Sequence, residues 1–102
     1  MKRQLFKLLI ADRAASVLRT LHPDIKRKLK TAFHAIAADP YAGKALNEEL
    51  DGLRSYRVSR FRIIYRLTQE RRIEIITVGP RQRIYEETYR LISKTEKKRN
   101  GN

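Results

Sequence analysis

Eleven arginines follow position 50, at 54, 57, 60, 62, 66, 71, 72, 81, 83, 90 and 99, and their placement says more than their number. Arginine suits phosphate because its guanidinium fork donates two parallel hydrogen bonds to a tetrahedral anion. From Tyr56 onward the apolar residues recur with period two. Tyr56 and Val58 alternate with Ser55, Arg57 and Ser59; Phe61, Ile63, Tyr65 and Leu67 then share one face, with Arg60, Arg62, Ile64 and Arg66 on the other. In that strand reading Arg57, Arg62 and Arg66 lie opposite the apolar side, and Arg81 enters just beyond a strand end. Like charges across a sheet repel, and Glu74 is the main carboxylate placed to neutralise them. A solvated basic face is the plainer reading of any one arginine. Their grouping on a sheet face points instead to a phosphate-bearing partner.

The whole composition points the same way. The 102 residues carry 24 Lys+Arg against 11 Asp+Glu, a formal charge of +13, which predicts a polyanionic partner. Cysteine is absent, which excludes a disulfide scaffold, Cys-ligated zinc and a thiol nucleophile. With two histidines and no His-rich motif, no metal site is expected, nor a small-molecule cofactor. The apolar run within LFKLLIA is short and interrupted by Lys7, so no membrane span is expected. Met1-Lys2-Arg3 is not followed by a full signal-peptide pattern. The expectation is a soluble, cytoplasmic protein.

These arginines need elements to hold them. Residues 4–10 read as a strand. Asp12 is placed to cap a helix whose apolar positions are Ala14, Val17, Leu18 and Leu21. His22-Pro23 breaks it, because proline suits a first turn but not a helix interior. A second helix then buries Ile25, Leu29, Ala32, Phe33 and Ile36 and stops at Asp39-Pro40. Residues 41–52 read as an irregular connection with a helical turn around Leu46. Strands follow at 56–58, 60–67 and 73–78, the last ended by Gly79-Pro80, and Tyr85–Lys94 reads as a closing helix with Tyr85, Tyr89 and Ile92 aligned. The order β-α-α-β-β-β-α predicts an α+β fold: an N-terminal strand, a helical hairpin, an antiparallel sheet of three further strands and a C-terminal helix, with the helices on one side. Residues 1–93 are expected to form one domain, and the charged segment 94–102 a disordered tail.

Residues 55–67, SYRVSRFRIIYRL, followed by IEIITVGPRQRIY at 73–85, resemble the RelE/ParE superfamily of toxins from toxin–antitoxin systems. The likeness lies in a basic residue (Arg57), a tight turn, aromatic-Arg-x-x-Tyr (Phe61, Arg62, Tyr65), a hydrophobic strand, Gly-x-Arg (Gly79, Arg81) and a following Tyr85. With the upstream strand and hairpin it covers about residues 3–92.

The resemblance implies one of two activities on one fold: ribosome-dependent mRNA cleavage (RelE branch) or inhibition of DNA gyrase (ParE branch). It also implies a cognate antitoxin, acidic and partly disordered when free, that wraps the toxin. On the favoured RelE reading the partners are ribosome and mRNA. The 2′-hydroxyl attacks its neighbouring phosphate in line, without a metal. Arg57, Arg62 and Arg81 are then the candidates to meet the growing negative charge, and Tyr85 to stack on a base or assist proton transfer. Arg60, Arg66 and Arg83 are candidate RNA contacts. Tyr65, mid-way along the apolar face, reads as core.

The chain departs from the RelE pattern at the base. Two positions after Arg57, where RelE members often carry a second basic residue, stands Ser59, with Arg60 next to it. Arginine stays protonated and makes a poor general base. Glu48 and Glu49, in the connection before the sheet, read as surface residues, with a carboxylate brought to the site as the alternative; His22 reads as a helix-boundary residue and His34 as partly exposed. A non-catalytic binding module of the same fold is the third reading.

Overall fold

The protein, described here at residues 6–80, 84–86 and 88–92 of a computed structural model, is built on one five-stranded sheet. Its elements are β1 (Lys7–Ile10), α1 (Asp12–Thr20), α2 (Pro23–Ala38), β2 (Lys44–Ala45), a 3-10 turn (Glu48–Leu50), β3 (Arg54–Val58), β4 (Phe61–Thr68) and β5 (Arg72–Pro80). Residues 84–86 and 88–92 are helical. The strand order is β1-β5-β4-β3-β2. All pairs are antiparallel except β1 with β5, which the helical hairpin makes parallel by carrying the chain back across the sheet. The α+β expectation holds, and β2 adds an edge strand of two residues that the sequence pattern did not reveal.

The hairpin forms where Pro23 opens α2. The His22 side chain accepts a hydrogen bond from the Asp24 amide at 3.1 Å, so His22 is the cap of that helix. For α1 the cap is Ala11, not Asp12. Asp12 sits in the first turn, where its charge complements the helix dipole without a capping bond. Leu29, Phe33 and Ile36 of α2 pack with Ala14 of α1 against Ile63, Tyr65, Ile73, Ile75 and Val78 of the sheet. Each fully buried aliphatic side chain there contributes about 1.5–3 kcal/mol. This is the main core.

Tyr65 belongs to it, fully buried. Its hydroxyl donates to the Pro40 carbonyl at 2.7 Å and accepts from the Gly43 amide at 2.9 Å. Burial raises its pKa above the ordinary tyrosine value. Gly43 has to be glycine: a Cβ there would collide with the Tyr65 hydroxyl and lie 3.0 Å from the Ser55 carbonyl. Arg54 completes this corner, donating to the carbonyls of Gly43 (3.0 Å) and Tyr41 (3.2 Å).

The expectation that all helices lie on one side is corrected. Ile64 is fully buried on the opposite face, against Leu53 and Ile84, with Leu50, Ile76 and Ile92 around them. The sheet is covered on both faces, which is why Ile63, Ile64 and Tyr65 can be buried in succession. Ile84 and Thr88 are buried in the last helical segment, whereas Tyr89 is exposed; the apolar stripe runs 84–88–92 rather than through Tyr89. Two smaller corrections concern boundaries. The helical turn in the 41–52 connection lies at Glu48–Leu50, not around Leu46, and β5 continues through Gly79 and Pro80, which pair with Arg62 and Phe61. Residues 4–5, at the start of the predicted first strand, and the expected tail at 94–102 lie outside the described residues.

Candidate nucleic-acid interface

The β3–β4 hairpin places the arginines. Val58 pairs with Phe61, leaving Ser59 and Arg60 as a two-residue turn in which Ser59 takes φ 57°. A tight turn fixes register, and register fixes faces. Here it sets Arg57 directly opposite Arg62 and Ser55 opposite Ile64. A bulge between Ile64 and Tyr65 shifts the pairing with β5, so that Arg62 meets Gly79, Ile64 meets Thr77, and Arg66 meets Glu74.

The face away from the helical hairpin therefore reads as three rungs. The first is Arg57, Arg62 and Gly79, and glycine leaves one end without a side chain. The second, Ser55, Ile64 and Thr77, is buried. The third is Arg66, Glu74 and, on β1, Leu9. Arg66 Nε donates to Glu74 Oε1 at 2.7 Å, so the third rung is neutralised as Glu74's position predicted. Among the described residues no carboxylate pairs with Arg57 or Arg62. Arg57 Nε donates to the Ser59 carbonyl at 3.4 Å.

Tyr85 lies over the middle rung, half-buried against the cluster of Ile64, Leu53 and Ile84, with its hydroxyl 3.2 Å from Ser55 Oγ. Arg62 Nη1 donates to the same Ser55 Oγ at 3.5 Å, and among the described residues the buried Arg62 Nε has no hydrogen-bond partner. Arg57, Arg62 and Tyr85 are thus brought to one face. Arg60 stands exposed at the tip of the β3–β4 turn. Arg81 and Arg83 lie outside the described residues. Glu48 and Glu49 are exposed in their 3-10 turn, and His34 is exposed on α2. Among the described residues no group of His, Cys, Asp and Glu could hold a metal ion, and no helix is long and apolar enough to cross a membrane.

Sequence reading passed over Ser55. Its signal was available: once Ser59-Arg60 is taken as a two-residue turn, counting back places Ser55 opposite Ile64, one rung inward from the arginine pair.

Solved structures similar to this chain include toxins and toxin–antitoxin complexes. The RelBE2 toxin–antitoxin complex of Mycobacterium tuberculosis contains a chain 29% identical, with a TM-score of 0.68, covering 76% of this chain and 99% of that one. The isolated E. coli RelE toxin is 22% identical with a TM-score of 0.64 (85% and 98% covered), and the RelE–RelB complex of Pyrococcus horikoshii OT3 is 20% identical with a TM-score of 0.64 (78% and 98%). No curated protein is a significant match to the sequence. The family model described as "ParE toxin of type II toxin-antitoxin system, parDE" matches residues 8–85. The chain belongs to that family, and is a toxin of the RelE/ParE superfamily.

Proposed function

We propose that this toxin cleaves mRNA on the ribosome without a metal, using its first rung of arginines to hold the scissile phosphate. The observation that carries the reading is the Arg57–Arg62 pair. The two residues face each other across the β3–β4 register with no carboxylate paired to either among the described residues, although the same sheet neutralises Arg66 with Glu74. Such an arrangement destabilises the empty protein and is relieved by an anion between the two forks.

In-line attack of the 2′-hydroxyl forms a 2′,3′-cyclic phosphate as the P–O5′ bond breaks, the departing 5′-oxygen takes up a proton, and charge builds on the non-bridging oxygens meanwhile. Arg57 and Arg62, joined by Arg81 at the family's Gly-x-Arg position, stabilise it, each well-placed donor contributing about 3–4 kcal/mol by analogy with oxyanion holes. The attacking proton leaves to solvent, since neither arginine is a base. Tyr85 serves the displaced base or the departing oxygen. Arg60 and Arg83 supply further phosphate contacts, whereas Arg66 does so only by giving up Glu74.

In the cytoplasm a cognate antitoxin would silence the toxin. The RelB complexes of the structural neighbours support that partner, and the charge of +13 suits an acidic segment that folds on binding.

The test is induction in cells with mapping of mRNA 5′ ends. Codon-phased cuts that disappear in Arg62→Ala are expected; continued translation with intact mRNA overturns the reading. Gyrase inhibition is the second reading, favoured by the ParE description of the matched family and by Ser59 standing where a second basic residue would supply a base. It predicts trapped DNA breaks with intact mRNA.

A further inference from the structure

Ser55 is 2% exposed, and its hydroxyl sits between two groups of the arginine face: Arg62 Nη1 at 3.5 Å and Tyr85 Oη at 3.2 Å. The direction of these bonds follows from counting protons. A guanidinium has no acceptor, so Arg62 donates and Ser55 Oγ accepts. The serine then has one proton of its own to place. Among the described residues Tyr85 Oη is its one side-chain partner besides Arg62. Were Tyr85 to donate to Ser55 instead, the serine proton would be left without an acceptor among the described residues, and a buried unsatisfied donor is costly.

We propose that Ser55 is a positioning residue: it donates to Tyr85 Oη and accepts from Arg62, thereby fixing the phenol and the guanidinium relative to each other and leaving the Tyr85 proton free for an oxygen of a bound phosphodiester. Its place in the fold suits this role. Ser55 projects from β3 on the same face as Arg57, two residues on, and its backbone is held by pairing with Ile64 on one side and Lys44 on the other. A side chain on a paired strand holds its partners more closely than one on a loop. Tyr85, half-buried against Ile64 and Ile84, gains from Ser55 a polar contact that sets where its hydroxyl points.

The kinetic arm of the test rests on the nuclease reading; a second arm does not. With mRNA on programmed ribosomes, Ser55→Ala is expected to lower kcat by about 10- to 100-fold with little change in KM, as a misplaced catalytic contact does. In a Tyr85→Phe background the same substitution is expected to cost several-fold less, because the part that acts through the Tyr85 hydroxyl is already gone and only the Arg62 contact is left to lose. A purely structural serine would cost the same in either background, and that additivity overturns the proposal. So does a Ser55→Ala rate within about twofold of the parent. If the parent protein leaves ribosome-bound mRNA intact, the nuclease reading has failed. Proton NMR of the free toxin then decides Ser55 on its own. A slowly exchanging hydroxyl proton with contacts to the Tyr85 ring, lost in Ser55→Ala, sustains the assignment, and its absence overturns it.

Discussion

Two tyrosines, one on each face of the sheet, show what separates scaffold from site in this molecule. Tyr65 is fully buried, and both bonds of its hydroxyl end on backbone, at Pro40 and Gly43. Nothing of it is left to give to a ligand. Tyr85 on the other face is half-buried, and its hydroxyl meets a side chain that also meets Arg62. The faces as a whole differ in the same sense. Beneath the helical hairpin Leu29, Phe33 and Ile36 pack on the apolar side chains of the sheet; on the arginine face a buried middle rung separates the ion-paired Arg66 from Arg57 and Arg62, which pair with no carboxylate among the described residues. Resemblance in residue type therefore says little about role, and the partners of the polar atoms say much.

The sharpest way to break this contrast is to remove one of the unpaired cations. Arg57→Ala is expected to reduce cleavage by about 10²–10³-fold, the usual cost of losing one donor to a developing oxyanion. Because it also removes a like charge facing Arg62, stability is expected to rise by roughly 0.2–1 kcal/mol. Parallel measurement of cleavage and urea unfolding checks both signs. A variant that lost activity by unfolding would show the opposite stability change.

The complementary change strikes the scaffold face. Tyr65→Phe leaves the Gly43 amide and the Pro40 carbonyl without their buried partner, at a cost of about 1–3 kcal/mol, and keeps cleavage at the parent rate below the melting range. Gly43→Ala is expected to cost more, since its methyl group would collide with the same hydroxyl. Denaturant midpoints at fixed pH give the comparison.

Tyr65 also sets an alkaline limit. Its pKa is raised in the folded protein, chiefly by burial, so the native state holds this proton more tightly than the unfolded chain. The resulting stabilisation is complete below the ordinary tyrosine value of about 10 and is lost as pH rises through the higher folded value. Unfolding free energy should therefore fall above about pH 10 in the parent, and less steeply in Tyr65→Phe. Equal slopes would show that the hydroxyl is not held as described.

Much of this contrast was legible in the sequence. Period two across 56–67 separated Tyr65 from the arginines, and the spacing of Glu74 foretold the neutralised rung. Pro23 and Asp39-Pro40 bounded α2 because proline acts on the backbone locally. What escaped depended on contacts distant in the chain. Ile64 looked like an apolar residue stranded among arginines until Ile84 covered it. The stripe through Ile84, Thr88 and Ile92 was masked by two tyrosines that advertise themselves more loudly. Two residues of β2 carry no periodicity at all. Ser55 was missed for a different reason, since a serine in a strand has no pattern until a register is assigned to it.

The smallest effect tests the third rung. Arg66 and Glu74 are 47% and 33% exposed, so their ion pair contributes roughly 0.2–1 kcal/mol, and Glu74→Gln should barely move the unfolding midpoint. What it changes is the number of cations free to meet phosphate. If the arginine face tracks a nucleic-acid strand, releasing Arg66 adds one contact, and the slope of log affinity against log salt steepens by about 0.7 for single-stranded RNA. Fluorescence titration of a short oligonucleotide across a salt series measures it directly. An unchanged slope would confine the phosphate path to the first rung, and Glu74 would then be a structural partner of Arg66 rather than the group that ends the site.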